Sequence, residues 1–75
     1  MRYATVVIVS VVAFETDPKV IREGVIDNMR QHARRETGSD LVSLVETKMM
    51  RDWIELEDGI PFEVIRIHAL WETSE

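Results

Sequence analysis

The feature that most constrains this chain is an apolar run near its amino terminus, "YATVVIVSVVAFE", which occupies residues 3–15. Most of these residues are β-branched and none is leucine, which favours a strand over the leucine- and alanine-rich helix of a secretory signal. The run is also shorter than the roughly 20 apolar residues that a membrane-spanning helix needs. We therefore predict a first β-strand over about residues 3–15.

Both faces of this predicted strand are apolar. Alternation places Val7 and Val9 on one face, and Val6 and Ile8 on the other. Two apolar faces are typical of a strand that is covered on both sides. We expect something to pack against each face.

The next segment carries helix signals at both of its ends. Thr16 or Asp17 can cap the first turn, Pro18 suits the first helical position, and Gly38 suits the left-handed residue that ends a helix. Apolar residues recur between them at three- and four-residue spacing, which indicates one buried stripe. The pattern predicts an amphipathic helix over about residues 17–36.

Alternating apolar residues return after the helix and predict two more strands, over about residues 40–57 and 61–72. Asp58-Gly59 is a hairpin signal between them, and Pro61 follows it at the start of the last strand. The order β-α-β-β predicts an α+β fold, with a three-stranded, mainly antiparallel sheet and one helix on one face. Its 75 residues predict a single domain, residues 1–75.

The register of the predicted hairpin follows from matching apolar and charged residues across it. The favoured register sets Ile54 opposite Val64, and Asp52 opposite Arg66, so that apolar residues meet and a charge pair forms. It also sets Glu55 opposite Glu63, which is an unfavourable pair unless solvent screens it.

One helix can cover only one face of such a sheet, so we expect a second copy to cover the other. A domain of this size has a marginal core, and the chain contains no cysteine for a disulfide. We therefore predict a homo-oligomer, a dimer or higher, that packs sheet against sheet. The candidate interface residues are Val7, Val9, Val11, Met49, Trp53, Ile67 and Trp71.

The charge of the chain disfavours nucleic acid as its main partner. The net charge is −5, whereas affinity for phosphate backbones rests on a cationic face. The end of the predicted helix does carry Arg30, Arg34 and Arg35, which are candidates for contact with an anion or an acidic partner. Nucleic-acid binding through these arginines is retained as an alternative.

The chain offers little for catalysis, and we predict that it is not an enzyme and uses no cofactor. Ser10 and Ser39 lack the Gly-x-Ser-x-Gly context of a nucleophile, and His68 lies between apolar residues of a predicted strand. The three glycines do not form a phosphate-binding loop. The acids around the hairpin lack the spacing of a calcium loop, so no metal site is predicted.

The order β-α-β-β is similar to the layout of the dodecins, which are small flavin-storing oligomers. The resemblance covers the order of the elements and no sequence motif, since Trp53 lies near the end of the second predicted strand and the dodecin tryptophan near its beginning. No ligand and no site residue is therefore carried over. The same layout occurs in other short proteins, including accessory proteins of phages.

These observations favour a non-enzymatic protein-interaction module that self-associates through its sheet and acts as a binder, regulator or inhibitor of another protein. An alternative is an oligomeric carrier of a flavin or nucleotide, with Trp53 or Trp71 stacked on the ligand. The absence of cysteine fits a reducing compartment, and we expect a cytoplasmic location without membrane contact.

Overall fold

A computed structural model describes residues 1–73 of the chain. It confirms the α+β class and the order of the predicted elements, and adds one short helix. The strands are β1 (Arg2–Ser10), β2 (Val42–Glu55) and β3 (Pro61–Thr73), and the helices are α1 (Val11–Thr16) and α2 (Pro18–Thr37).

The first strand is shorter than predicted, because it ends at Ser10 and the rest of the apolar run is helical. The hydroxyl of Ser10 accepts a hydrogen bond from the backbone N–H of Ala13 at 3.1 Å, which caps α1. Val11 is buried and Phe14 packs against the same core. Burial of these side chains at the end of the sheet outweighs the strand preference of the β-branched residues.

Helix α2 follows its sequence signals closely. The carboxylate of Asp17 accepts a hydrogen bond from the N–H of Val20 at 3.4 Å, and Pro18 is the first helical residue. Gly38 ends the helix with a φ of 70°, in the left-handed region that favours glycine. The predicted helix over about residues 17–36 is therefore confirmed.

The last strand lies in the middle of the sheet, whose order is β1-β3-β2 with both pairs antiparallel. Val7 lies opposite Ile67 across the β1–β3 pair. Across the β2–β3 pair, Met49 lies opposite the same Ile67. Strands β1 and β2 are thus both edge strands.

The predicted hairpin register is wrong by two residues, since Ile54 lies opposite Phe62 and not Val64. The N–H of Gly59 donates to the carbonyl of Leu56 at 2.8 Å, and Gly59 has a φ of 76°. Because Glu55 lies opposite Pro61, the loop is residues 56–60 and the turn is centred on Asp58 and not on Gly59. Because the slip is two residues, every side chain keeps the face that the prediction gave it.

The hydrophobic core lies between α2 and one face of the sheet. Trp71 and Ile67 on β3 and Ala33 on α2 are fully enclosed. The indole Nε1 of Trp71 donates to the hydroxyl of Thr5 at 2.9 Å, which joins the central strand to β1 within this core. Among residues 1–73, no helix is long and apolar enough to cross a membrane.

Candidate protein-interaction surface

The face of the sheet opposite α2 is only partly covered within residues 1–73, since Val64 at one end of it is buried whereas Val6 and Ile8 are exposed, and we call it the bare face. Alternation and the observed register place the even-numbered residues of β1 and β3 on it, together with the β2 residues opposite them. Its apolar members are Ala4, Val6, Ile8, Met50, Ile54, Phe62, Val64 and Leu70.

Several large apolar side chains on the bare face are partly exposed. Val6 is 52% exposed and Ile8 45% exposed, and Met50 and Phe62 are exposed to similar degrees. They come from all three strands of the sheet. A contiguous exposed apolar patch on a small protein is typical of a surface that binds another protein.

The charged residues of the bare face balance one another, although the whole chain has a net charge of −5. Its cations and its anions are equal in number: Arg2, Lys48 and Arg66 against Glu46, Asp52 and Glu72. The bare face is therefore neutral in a protein that is otherwise acidic.

Asp52 is a carboxylate of the bare face that is held by two hydrogen bonds. It accepts hydrogen bonds from the backbone N–H of Trp53 at 2.8 Å and from Nε of Arg66 at 2.6 Å. The bond from the Trp53 backbone has the larger effect and the bond from Arg66 the next, and together they hold the pKa of Asp52 below its ordinary value of 3.8. Asp52 is therefore ionised at neutral pH.

His68 lies on the same face of the central strand, opposite Val6 on β1 and Lys48 on β2. Its Nε2 is buried and has no hydrogen-bond partner among the described residues. A buried polar atom without a partner costs free energy, so this position favours a group that brings a donor or acceptor to the face.

The predicted interface residues lie on the other side of the sheet. Ile67, Trp71 and Val11 are buried inside the chain, and Val7 and Val9 pack against the same core, so helix α2 covers them and a second copy is not needed. The remaining two predicted residues are exposed on the α2 side of β2. They are Met49, at the edge of α2, and Trp53, which is 62% exposed.

Charge on the last strand is the sequence signal that distinguishes the two faces. Ile65, Ile67, Ala69 and Trp71 alternate without a polar interruption, as expected of a core face. The intervening positions include Arg66 and His68, which mark the face away from the helix. The bare face could therefore have been assigned from β3, whereas residues 6–9 of β1 are apolar on both faces and give no such distinction.

The three predicted anion-binding arginines do not converge on one site. Cζ of Arg30 lies 5.5 Å from the ring centroid of Trp71, on the side of α2 that faces β2. Arg35 lines a groove on the opposite side of the helix, next to β1. Arg34 is exposed. The geometry does not assemble a phosphate-binding cluster from these residues.

A groove of about 750 Å³ runs between α2 and the α2-facing side of β2. Phe14, Ile26 and Met49 form its apolar part, and charged side chains of α2 such as Arg22 and Asp27 line its rim. Met49 is the β2 residue that lines this groove, whereas Val42 near the start of the same strand is buried in the core.

The described residues contain no group of three or more histidine, aspartate or glutamate side chains placed to hold a metal ion. Ser10, considered above as a nucleophile, serves as the cap of α1. The side chains of Tyr3 and His32 form a hydrogen bond, with the Tyr3 hydroxyl 3.4 Å from Nε2 of His32.

Comparison of this chain with protein-family models, with curated proteins and with solved structures finds no match.

Proposed function

We propose that this protein is a non-enzymatic protein-interaction module whose bare face is covered by a second copy of the chain. The observation that carries the proposal is the partly exposed apolar patch around Val6 and Ile8 on a sheet that has a helix on one side only. We propose that the assembled form binds another protein and acts as its regulator or inhibitor.

The size of the bare face supports a second copy as its occupant. Three strands spaced about 4.8 Å apart, with about 3.3 Å per residue, give each face roughly 600 Å². Two such faces bury roughly 1,200 Å² when they pack together, which is the lower end of specific protein interfaces. The patch is thus large enough for a sheet-on-sheet dimer.

The charge of the bare face supports the same occupant. Two copies of an acidic protein repel each other unless the contact surface is neutral or self-complementary. Here the cations and anions of the face are equal in number, and some already pair within the chain, as Arg66 and Asp52 do. A second copy therefore meets no excess of like charge on this surface.

Sedimentation equilibrium at micromolar concentration tests this proposal with two matched variants. Val6→Glu places a charge among the exposed apolar residues of the bare face, and Val12→Glu places the same charge on α1, outside the sheet, where Val12 is 77% exposed. We expect Val6→Glu to halve the average mass and Val12→Glu to leave it unchanged. A monomeric native chain, or an equal effect of both variants, would contradict the proposal.

A further inference from the structure

We propose that the outer edge of β2 pairs antiparallel with β2 of a second copy, centred on Met50, and that the partner's Trp53 closes the groove between α2 and β2. This contact uses a strand edge and one helix-side groove, so it is independent of the bare-face contact proposed above.

The length of β2 is the first observation behind this inference. It has 14 residues and lies at the end of the strand order, so its outer N–H and C=O groups have no strand partner within residues 1–73. Natural proteins usually keep exposed edge strands short or cover them. A second β2 supplies the missing hydrogen bonds along most of this edge.

Charge complementarity selects the register. When two copies pair about Met50, Lys48 of each lies opposite the partner's Asp52, which forms the same favourable pair twice. Centring the pair one residue earlier sets Glu46 opposite the partner's Asp52. Centring it one residue later sets Arg51 opposite the partner's Arg51. Both neighbouring registers thus bring like charges together.

One earlier register, centred on Thr47, also avoids like charges because it sets Glu46 opposite the partner's Lys48. That pairing runs through the irregularity between Leu44 and Glu46, where the ladder of β2 is interrupted by one residue. The register centred on Met50 keeps this irregularity at the end of the paired segment, so a longer regular ladder forms.

The same register decides where Trp53 goes. Residues directly opposite each other in a strand pair share a face, so Thr47 lies opposite the partner's Trp53 on the α2 side of the joined sheet. Met49 is then a diagonal neighbour, within reach of an aromatic side chain. Because Met49 lines the groove, the partner's indole covers its open side. A tryptophan that is largely exposed in the single chain becomes an interface residue.

Disulfide trapping tests the register directly, because the chain has no cysteine of its own. Met50→Cys places two thiols opposite each other on the two-fold axis, within the Cα separation of about 4.4–6.8 Å that a disulfide requires. Ile54→Cys, on the same strand and face, is the matched control because its counterpart lies far along the pair. The background variant is Val6→Glu, which removes the bare-face contact.

We expect mild oxidation to convert Met50→Cys largely to covalent dimer and to leave Ile54→Cys without a covalent crosslink. A mixture of Thr47→Cys and Trp53→Cys is expected to form a mixed disulfide, which a face-to-face stack cannot give because both residues lie on the α2 side. Failure of Met50→Cys to crosslink, or equal crosslinking of Ile54→Cys, would overturn the β2 pairing. Neither result bears on the bare face, whose own test is the mass of the Val6→Glu variant.

Complementary charge reversal provides a second test without cysteines. In the same background, Lys48→Glu and Asp52→Lys each create two like-charge contacts and are expected to be monomeric. A mixture of the two variants restores both opposite-charge contacts and is expected to reach twice the monomer mass. Far-UV circular dichroism checks that Asp52→Lys remains folded without its Arg66 partner. Folded variants that stay monomeric when mixed would overturn the register.

Discussion

Arg66 Nε donates a hydrogen bond to Oδ2 of Asp52 at 2.6 Å, although the two residues are not directly opposite in the sheet. Arg66 lies opposite Met50, and Asp52 lies opposite Val64, so the ion pair is diagonal. The backbone N–H of Trp53 donates to the other oxygen of the same carboxylate. Asp52 is therefore held by two donors at an edge strand, which gives it a defined effect on the pH dependence of stability.

Replacing Asp52 with asparagine is expected to flatten the stability curve at acid pH. Because the pKa of Asp52 is lower in the folded chain than its ordinary value of 3.8, its ionised form stabilises the fold above that value. That contribution is lost as the pH falls through the folded-state pKa. Urea midpoints measured from pH 6 to pH 2 should show Asp52→Asn less stable than the native chain at pH 6, with the difference shrinking toward pH 2.

Glu57→Gln is the control for this measurement, since it removes a carboxylate from the exposed hairpin loop instead. A difference between Asp52→Asn and the native chain that stays constant across the whole pH range would contradict the assigned role of the Asp52 carboxylate.

The hydrogen bond between Trp71 and Thr5 is expected to contribute measurably to folding. Trp71 is fully enclosed and donates to the Thr5 hydroxyl at 2.9 Å. Trp71→Phe leaves that hydroxyl without its donor and should cost about 1–3 kcal/mol, whereas Trp71→Ala also opens a cavity and should cost about 3–5 kcal/mol. Urea denaturation followed by circular dichroism measures both.

A double-mutant cycle with Thr5→Val separates the hydrogen bond from the packing of the ring. The cost of Trp71→Phe should be smaller in the Thr5→Val background, because no hydroxyl then remains to lose its donor. Strictly additive costs would show that the contact contributes only through packing.

Glycine-to-alanine substitutions in and after α2 are expected to have opposite signs. Gly24 lies within the helix and an added Cβ there has no atom within 4 Å, so Gly24→Ala should stabilise the chain by about 0.5–1 kcal/mol. Gly38 has a φ of 70°, so Gly38→Ala should destabilise it by about 1 kcal/mol or more. Thermal unfolding of both variants gives the comparison, and effects of the same sign would contradict this assignment.

Removing the cap of α1 is expected to weaken the turn from strand to helix. The hydroxyl of Ser10 accepts from the N–H of Ala13, and caps of this kind contribute about 1 kcal/mol. Ser10→Ala should therefore lower the urea midpoint, and faster amide hydrogen exchange at Ala13 should accompany the loss. Unchanged exchange at Ala13 would show that packing of Val11 and Phe14 alone holds α1.

The positions that the sequence predicted well are those where a local rule decides the structure. Asp17, Pro18 and Gly38 set the ends of α2 because each residue type has a strong preference at that position. Gly59 marked the hairpin, but its exact place in the loop moved the register by two residues, since charge and apolar matching favoured a different pairing. The end of β1 was missed because β-branched residues are also accepted in a short helix when burial favours it.

The sequence by itself determined the fold class, the order of its elements and the presence of apolar residues on both faces of the sheet. On β1 the covered face was decided only by the docking of α2, because Val7 and Val6 are nearly equivalent there, and in the sequence it was marked only by the charged positions of β3. That choice encloses Ile67 and Trp71 inside the chain and leaves Val6 and Ile8 on the surface. It also leaves β2 at the edge beside a groove, a position that residue patterns along the chain do not specify because it depends on strand order.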